Sequence, residues 1–230
     1  MAFGPVMRLT VPQTEGNDIV VELAPLQKDA MGSFASTGGM QSYPVVRFLG
    51  RQSAPVLEDE LEWYDSVRAN KDSMIWGIWI IEDNQRTLIG TSGLNAIEHG
   101  RTGIKQATSG VLIFDKEYWG KGIASYIHKA RTWFAFRELG ITRIKSAVIQ
   151  GNVASLKALQ KSGYTHVYVE RNTCYTNGEL RHQDNLECLN PLEPFWSNWW
   201  GQDTPSQAAV AARAVTLEAL QWADANVTLP

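Results

Sequence analysis

The chain has 230 residues, of which 44% are hydrophobic and 20% charged, and its net charge is −3. This composition indicates a globular protein of one large domain, or one domain with an appendage. Without a long basic run, binding of nucleic acid through a basic face is not expected. No apolar stretch reaches the roughly 18 residues that span a bilayer, and the first residues lack the basic and apolar segments typical of a signal peptide, so we expect a cytoplasmic protein with no membrane contact.

The N-terminal half predicts a lead-in, one strand, two helices and a meander of three strands. Residues 1–18 are polar with Pro and Gly and predict a loose lead-in. A strand over residues 19–23 precedes helices over 26–34 and 56–69, the first of which starts after Pro25. The apolar run 74–81 predicts a buried strand, and strands over 87–97 and 110–114 follow it. Short links between these three strands favour antiparallel pairing.

The stretch of residues 109–164 organises the rest of the chain. A short apolar strand leads into the turn Trp119-Gly120-Lys121-Gly122-Ile123-Ala124, and a helix follows over residues 125–139. A glycine turn that opens a helix allows close approach of a phosphate, and the first N–H groups of the helix are free to bind it. The charge of Lys121 adds to this attraction. A simple connector is the other interpretation. The spacing matches neither a P-loop nor a dinucleotide fingerprint.

The second half predicts a strand, a helix, a hairpin and a helical tail. The strand covers residues 143–149 and the helix residues 153–162. The hairpin joins residues 164–175 to 179–189 through Asn177-Gly178, a strong hairpin turn sequence. Residues 191–230 hold an aromatic cluster, read as packing or as a substrate cage, and a helix over 206–226. This helix docks on its own domain or on a second subunit.

Two cysteines are present, and the hairpin register tests whether they pair. With a two-residue turn at Asn177-Gly178, Cys174 lies opposite Arg181 and Cys188 lies opposite Val167. The two thiols then point to opposite faces of the sheet, so we expect no disulfide. No metal-ligand spacing surrounds them, and we expect no metal site.

The central stretch resembles the GNAT acetyltransferase superfamily, whose signature is Gln/Arg-x-x-Gly-x-Gly/Ala after a strand. Gly122 and Ala124 occupy the small-residue places, whereas Trp119 departs from Gln/Arg. Tyr-Trp-Gly-Lys-Gly is similar to the loop sequence of the ribosomal-protein N-terminal acetyltransferases, which form one branch of the family. Asn152-x-x-Ser155, followed by Lys-Ser-Gly-Tyr, resembles a second motif of the same branch. The resemblance covers residues 19–190, which predicts three parts: lead-in 1–18, acetyltransferase domain 19–190, and Trp-rich linker with C-terminal helix 191–230.

The resemblance implies an α+β fold with a mixed, mostly antiparallel sheet flanked by helices, plus the C-terminal helical extension. Two central strands splay apart at the cofactor site, with residues 110–113 on one side and 147–150 on the other. The implied cofactor is acetyl-CoA. The residues expected to bind it are Leu112, Ile113, Trp119, Gly120, Lys121, Gly122, Ile123, Ala124, Ser125 and Asn152.

Candidate catalytic residues follow from the same resemblance. The tyrosine acid of many family members is replaced by Leu159, and the glutamate that the branch often carries in the strand beginning at Ser109 is missing. Ser155 is then the candidate acid, although helix capping also explains a serine there. Asn152 orders the site or caps the same helix.

The general base and the amine-binding residues are less marked. Glu98 is the candidate base and His99 a candidate substrate contact, while both also suit an exposed loop. Asp184 matches an aspartate that shapes the acceptor pocket in the branch.

The sequence therefore predicts an N-acetyltransferase acting on a primary amine, either a protein N-terminus or a small molecule, by direct attack on the thioester. A non-catalytic acyl-CoA-binding or scaffold protein on the same fold is the alternative. A homodimer through the C-terminal helix or the sheet edge is compatible with either.

Overall fold

The computed structural model describes residues 2–50, 53–83, 85–99 and 104–230, with the backbone alone at Glu98 and His99. The strands of this part form a single sheet of eight, in the order β1-β2-β3-β4-β5-β6-β8-β7. Their bounds are Met7–Val11 (β1), Ile19–Ala24 (β2), Met74–Glu82 (β3), Gln85–His99 (β4), Lys105–Ile113 (β5), Arg143–Ile149 (β6), Thr165–Thr176 (β7) and Glu179–Leu189 (β8).

Seven α-helices accompany the sheet in the described ranges. They are Met31–Phe34 (α1), Tyr43–Val46 (α2), Leu57–Ala69 (α3), Ile123–Arg137 (α4), Val153–Gln160 (α5), Phe195–Trp200 (α6) and Gln207–Asn226 (α7). None of the helices in this part is both long and apolar enough to cross a bilayer.

The mixed, mostly antiparallel sheet flanked by helices confirms the predicted fold class. Neighbouring strands pair antiparallel except β5 and β6, which pair parallel. The strand 143–149 has the predicted bounds, and the hairpin turns at Asn177-Gly178 with Thr176 opposite Glu179. Regular apolar periodicity and a strong turn dipeptide explain why these elements were readable from sequence.

The N-terminal segment differs from the loose lead-in that its composition predicts. Residues 7–11 form β1, which pairs antiparallel with β2, with Met7 opposite Leu23. Met7, Leu9 and Val11 alternate inward and are almost fully buried. This alternation was hidden by the flanking prolines and glycines, and the pairing partner decides it.

Two other elements depart further from the predicted bounds than the shifts of one or two residues seen elsewhere in the chain. The helix expected over residues 26–34 is a 3₁₀ turn, Lys28–Ala30, followed by the short α1. The strand expected at residue 110 begins five residues earlier, at Lys105. The polar residues 105–108 are strand because they pair with β4 and β6, which a local pattern does not show.

The sheet separates two hydrophobic layers. On one face, α4 and α7 pack on the largest cluster, in which Trp76, Ile127 and Leu220 are nearly inaccessible to solvent. On the other face, α1 to α3 cover a second cluster that includes Phe34 and Phe114, whose rings meet edge to face at 4.8 Å. The sheet is thus sandwiched, and its central strands are held from both sides.

The C-terminal helix docks on its own domain, one of the two placements expected from sequence. Trp133 Nε1 on α4 donates to Asp224 Oδ1 at 2.6 Å, and Arg137 Nη2 lies 2.8 Å from Asp224 Oδ2. Close packing at Gly163 completes the contact, since a Cβ there would lie 1.9 Å from Thr216 Oγ1.

The aromatic cluster before this helix is a packing element. Trp196 is buried against Leu189 and Ala209, with Trp199 and Trp200 at its edge. The guanidinium carbon of Arg213 lies 4.7 Å from the Trp196 ring centroid. The cluster therefore joins the end of β8 to α7, as the packing interpretation predicts.

The two cysteines are free thiols in different environments. Cys174 lies opposite Arg181 as predicted, but the pairing of Cys188 with Val167 is wrong. A bulge between His166 and Tyr168 leaves Val167 outside the ladder, and a second bulge follows between Glu170 and Cys174. Extra residues in a bulge change which residues lie opposite each other farther along the hairpin, so a register counted from the turn alone becomes wrong beyond the bulge.

We expect the two thiols to react very differently with alkylating reagents. Burial raises the pKa of Cys188 to about 12, so almost no thiolate forms near neutral pH. In native protein at pH 8, mass spectrometry should find iodoacetamide on Cys174 alone, and on both residues after unfolding. Modification of Cys188 in the native state at the rate seen for Cys174 would contradict the buried placement.

Candidate functional site

The site is built on the place where two parallel strands separate. Strands β5 and β6 pair through residues 106–108 and 143–145, and their pairing stops there. Both strands continue, β5 to Ile113 and β6 to Ile149, so a wedge opens between them. Residues 110–113 and 147–150 flank this wedge.

The register shows which backbone groups face the wedge. Thr142 N donates to Lys105 O at 2.7 Å on the β6 side, and Phe114 N donates to Ile89 O at 2.9 Å on the β4 side. Because backbone groups alternate sides along a strand, Val111 and Ile113 direct their N–H and C=O groups into the wedge. Leu112, which is also expected to bind the cofactor, turns its backbone groups to β4.

The opposite wall follows the same rule. Gln150 N donates to His182 O at 2.9 Å, so even-numbered residues of β6 face β8. Ala147 and Ile149 therefore direct their backbone groups into the wedge from the β6 side. Unpaired strand edges on both sides can bind an extended chain of amides between them.

The glycine turn places a helix N-terminus at the mouth of the wedge. Gly122 has φ of +76°, a left-handed conformation that favours glycine, and it is the N-cap of α4. The first N–H groups of α4 have no partner within the helix and carry its positive dipole. Trp119 Nε1 donates to Ile113 O at 2.8 Å, which ties the turn to the end of β5.

A cavity of about 510 Å³ lies between this turn and α5. Nine of the ten residues predicted to bind the cofactor line it: Leu112, Ile113, Trp119, Gly120, Gly122, Ile123, Ala124, Ser125 and Asn152. Lys121 does not line it, because its Nζ lies over the Tyr118 ring at 5.0 Å from the centroid. Gln13 Nε2 also donates to Lys121 O at 3.2 Å, so the N-terminal segment supports the turn.

The positive charge at this cavity comes from residues that the sequence reading missed. Arg47, Lys157 and Lys161 line it, and no Asp or Glu is among its described lining residues. The Nε of Arg47 is buried without a hydrogen-bond partner in the described structure. The i, i+4 spacing of Lys157 and Lys161 was a usable signal, whereas Arg47 reaches the site only through the fold.

A second cavity of about 340 Å³ continues from the first. The residues shared by the two linings are Phe48, Leu49, Val111, His128, Asn152 and Ser155. Beyond this junction the second cavity is lined by Leu159, Thr173, Cys174 and Gln183, among others. The described lining contains no carboxylate. The wedge thus connects a cationic chamber with a neutral, polar one.

Asn152 and Ser155 lie at the junction. Asn152 is the N-cap of α5, and its Oδ1 accepts a hydrogen bond from Ser155 N at 3.3 Å. The capping explanation therefore holds for Asn152. Ser155 lines both cavities and is only partly buried.

Three further candidates lie elsewhere. The backbones of Glu98 and His99 end β4, and their side chains lie outside the described part. Asp184 Oδ1 accepts from Gln150 Nε2 at 2.9 Å and lies 3.7 Å from His166 Nε2. Asp184 is not among the residues lining either cavity.

A buried histidine and arginine behind the junction were also missed. His128 and Arg131 are three residues apart on α4, with 4% and 0% exposure. Arg131 Nη2 lies 2.7 Å from His128 Nδ1, and His128 lines both cavities. Burial, reinforced by the Arg131 charge, holds the pKa of His128 well below its usual range. Their presence in the largely apolar helix sequence 127–136 could have marked both residues as candidates from the sequence alone.

A family model described as acetyltransferase (GNAT) domain matches residues 21–165. Among curated proteins, a probable N-acetyltransferase of Bacillus subtilis, YjcK, is 32% identical over 116 residues, covering 50% of this chain and 61% of YjcK. The uncharacterised N-acetyltransferase YoaA of the same organism is 29% identical over 152 residues, covering 65% of this chain and 82% of YoaA.

Solved structures share the fold at low sequence identity. Spermidine N-acetyltransferase of Vibrio cholerae, in complex with CoA and spermine, superposes with a TM-score of 0.64 at 16% identity. The match covers 74% of this chain and 95% of that one. RimJ of Mycobacterium smegmatis, in complex with CoA-disulfide, superposes with a TM-score of 0.67 at 15% identity, covering 92% and 94%.

We expect His128 to make the protein less stable in mild acid. The unfolded chain binds a proton at His128 near pH 6.5, whereas the folded state resists protonation, so stability is lost as pH falls below that value. The slope from this residue approaches about 1.4 kcal/mol per pH unit. Urea unfolding of wild type and His128→Leu between pH 7.5 and 5 measures how the free energy of unfolding depends on pH.

The His128→Leu curve should be flatter than that of wild type over this range. Thr132→Val, which changes another fully buried side chain of α4 and removes no imidazole, is the control and should follow wild type. Parallel curves for wild type and His128→Leu would show that the buried imidazole does not cause the loss of stability in acid.

Proposed function

Because the chain belongs to the GNAT acetyltransferase family, we propose that it transfers an acetyl group from acetyl-CoA to a primary amine. The observation that carries this proposal is the wedge between β5 and β6, which opens beside the free N-terminus of α4. The family match and the N-acetyltransferases among its relatives support the reaction class.

The residues present suit the parts of acetyl-CoA. Phosphates fit the mouth of the larger cavity, where the α4 N-terminus meets Arg47, Lys157 and Lys161. The amide-bearing arm fits between the unpaired edges of β5 and β6, where Val111 and Ala147 face one another across the wedge. Acetyl-CoA supplies an acyl group activated by its thioester.

The chain's own groups then act at the junction of the cavities. The N–H of Val111 faces the wedge and is placed to polarise a carbonyl group. Ser155 lines both cavities, and its hydroxyl is our candidate for protonating the departing sulfur. Asn152 holds the first turn of α5, and with it Ser155, in place. Glu98 remains the candidate base.

The described lining of the smaller cavity contains no carboxylate, which favours an acceptor with a single amine. Thr173, Cys174 and Gln183 offer hydrogen bonds but no negative charge. A polycation would leave its further charges unpaired there, which is costly in a buried site. We therefore propose a small monoamine or a protein N-terminus as acceptor, the latter being the substrate of the branch that the sequence resembles. Asp184 then acts on this pocket indirectly, through Gln150.

One observation favours the second candidate function, a non-catalytic acyl-CoA-binding protein. Leu159 lines the smaller cavity at the place of the family's tyrosine acid, and the described linings hold no carboxylate base. Binding of acetyl-CoA without acetylation of any amine tested would support this alternative.

We expect Gly122→Val to abolish acetyl-CoA binding. A β-branched residue cannot adopt φ of +76° without strain, so the α4 N-terminus would be displaced from the phosphates. Gly178→Val is the matched control, because Gly178 has the same φ of +76° in the hairpin turn and lines neither cavity.

Isothermal titration with acetyl-CoA, with ATP as a negative control, measures both variants. Wild type and Gly178→Val should bind acetyl-CoA, and ATP should not bind. Equal affinity of Gly122→Val and wild type would contradict the phosphate-binding role of the turn, and no binding by wild type would contradict the proposed function.

We expect Ser155→Ala to reduce turnover by about 10²-fold, the usual contribution of a positioned acid. The acetyl-CoA dissociation constant should change little, because the Ser155 N–H, which donates to the N-cap oxygen of Asn152, is retained. Steady-state kinetics on an amine panel separates kcat from affinity. Ser66→Ala, a helix serine outside both cavities, is the control. Full turnover by Ser155→Ala would contradict the role of Ser155 as the acid.

A further inference from the structure

Arg131 is a buried cation whose described partners include no carboxylate. Its Nη1 donates to Ser92 Oγ at 3.1 Å and to Gly110 O at 2.8 Å. Its Nη2 donates to the Ser109 hydroxyl and to His128 Nδ1. Four N–H groups thus have four acceptors on β4, β5 and α4, and the guanidinium cannot rotate without breaking several bonds.

This contact determines the proton arrangement of His128. Arginine is a donor only and stays protonated in proteins, so Nδ1 of His128 must be the acceptor. A neutral imidazole with an accepting Nδ1 carries its proton on Nε2. Protonation of Nδ1 would direct two N–H groups at each other beside a buried cation, and burial already lowers the pKa of this histidine.

His128 is therefore a fixed donor at the place where the two cavities meet. It lines both of them, together with Val111 and Ser155. The hydrogen bond from the charged Arg131 guanidinium to Nδ1 draws electron density from the ring and strengthens the Nε2–H as a donor. A neutral imidazole that cannot take up a second proton serves to polarise a carbonyl rather than to carry protons.

We propose that His128 donates a hydrogen bond from Nε2 to the thioester carbonyl oxygen of bound acetyl-CoA, with Arg131 as the residue that holds its tautomer. This rests on the proposed function. As the amine forms the new C–N bond, the carbonyl electron pair moves onto oxygen, where the His128 and Val111 donors stabilise it. The pair then returns, the C–S bond breaks with its electrons on sulfur, and the proton lost by nitrogen balances the thiolate. His128 itself gains and loses no proton.

The direct test is the carbon-13 resonance of acetyl-CoA labelled at the acetyl carbonyl. A hydrogen bond to the oxygen deshields this carbon, so binding to wild type should move the resonance downfield. His128→Leu keeps the volume but removes the donor, and the shift should be lost. His128→Gln returns an N–H near the position of Nε2, and part of the shift should return.

Thr132→Val is the matched control. Thr132 lies one helical turn from His128, is fully buried and lines neither cavity, so this variant should retain the wild-type shift. Free CoA has no thioester, and all four proteins should bind it alike, which checks their folding. Turnover of His128→Leu should fall by about 10²-fold, as for loss of one oxyanion donor.

The outcomes are distinguishable. An equal shift in wild type and His128→Leu overturns the proposal while leaving the acetyltransferase function intact, and absence of any bound resonance in wild type overturns the proposed function itself. Should His128→Leu not fold, nitrogen-15 spectra of histidine-labelled wild type decide the tautomer. Protonation at Nε2 alone between pH 8 and 5.5 supports the proposal, and protonation at Nδ1 overturns it.

Discussion

The functional architecture depends on one constraint, the end of backbone pairing between β5 and β6 after Thr108 and Lys145. From this point each strand keeps its pairing on the outer side, and its inner edge has no partner strand in the described sheet. Buried backbone groups require partners, so such edges are stable only where water or an extended ligand can reach them. The wedge is therefore both the structural irregularity of the sheet and its binding surface, and α4 and α5 begin at its two walls.

Arg131 connects the strands beside the wedge to the helix that packs on them. The guanidinium joins Ser92 on β4 and Ser109 and Gly110 on β5 to helix α4. Removing a cation from water costs several kcal/mol, and the hydrogen bonds offset this cost only while all acceptors stay in place. The helix and the strand edge that form the wall are thus coupled, and His128 belongs to the same network.

Charge at the site has a different sign from charge on the whole chain. The protein carries a net charge of −3, yet Arg47, Lys157 and Lys161 surround the larger cavity without an acidic residue among its described lining. Three cations focused in a concave site set the local potential more strongly than dispersed surface charge, which salt screens. The described lining of the smaller cavity adds polar groups without charge, so the two ends of the wedge favour ligands of different character.

The sequence by itself determined the elements whose signals are local. The apolar strand 143–149, the hairpin at Asn177-Gly178 and the glycine turn before α4 each follow from contiguous residues. All residues of the turn except Lys121 line the larger cavity. Only the tertiary structure decided which backbone groups of β5 face the wedge, because this depends on its pairing partners. It also decided that β1 joins the sheet, that Lys121 turns away while Arg47 lines the cavity, and that His128 meets Arg131 at the junction. These features arise from contacts between segments far apart in the chain, and no local periodicity records them.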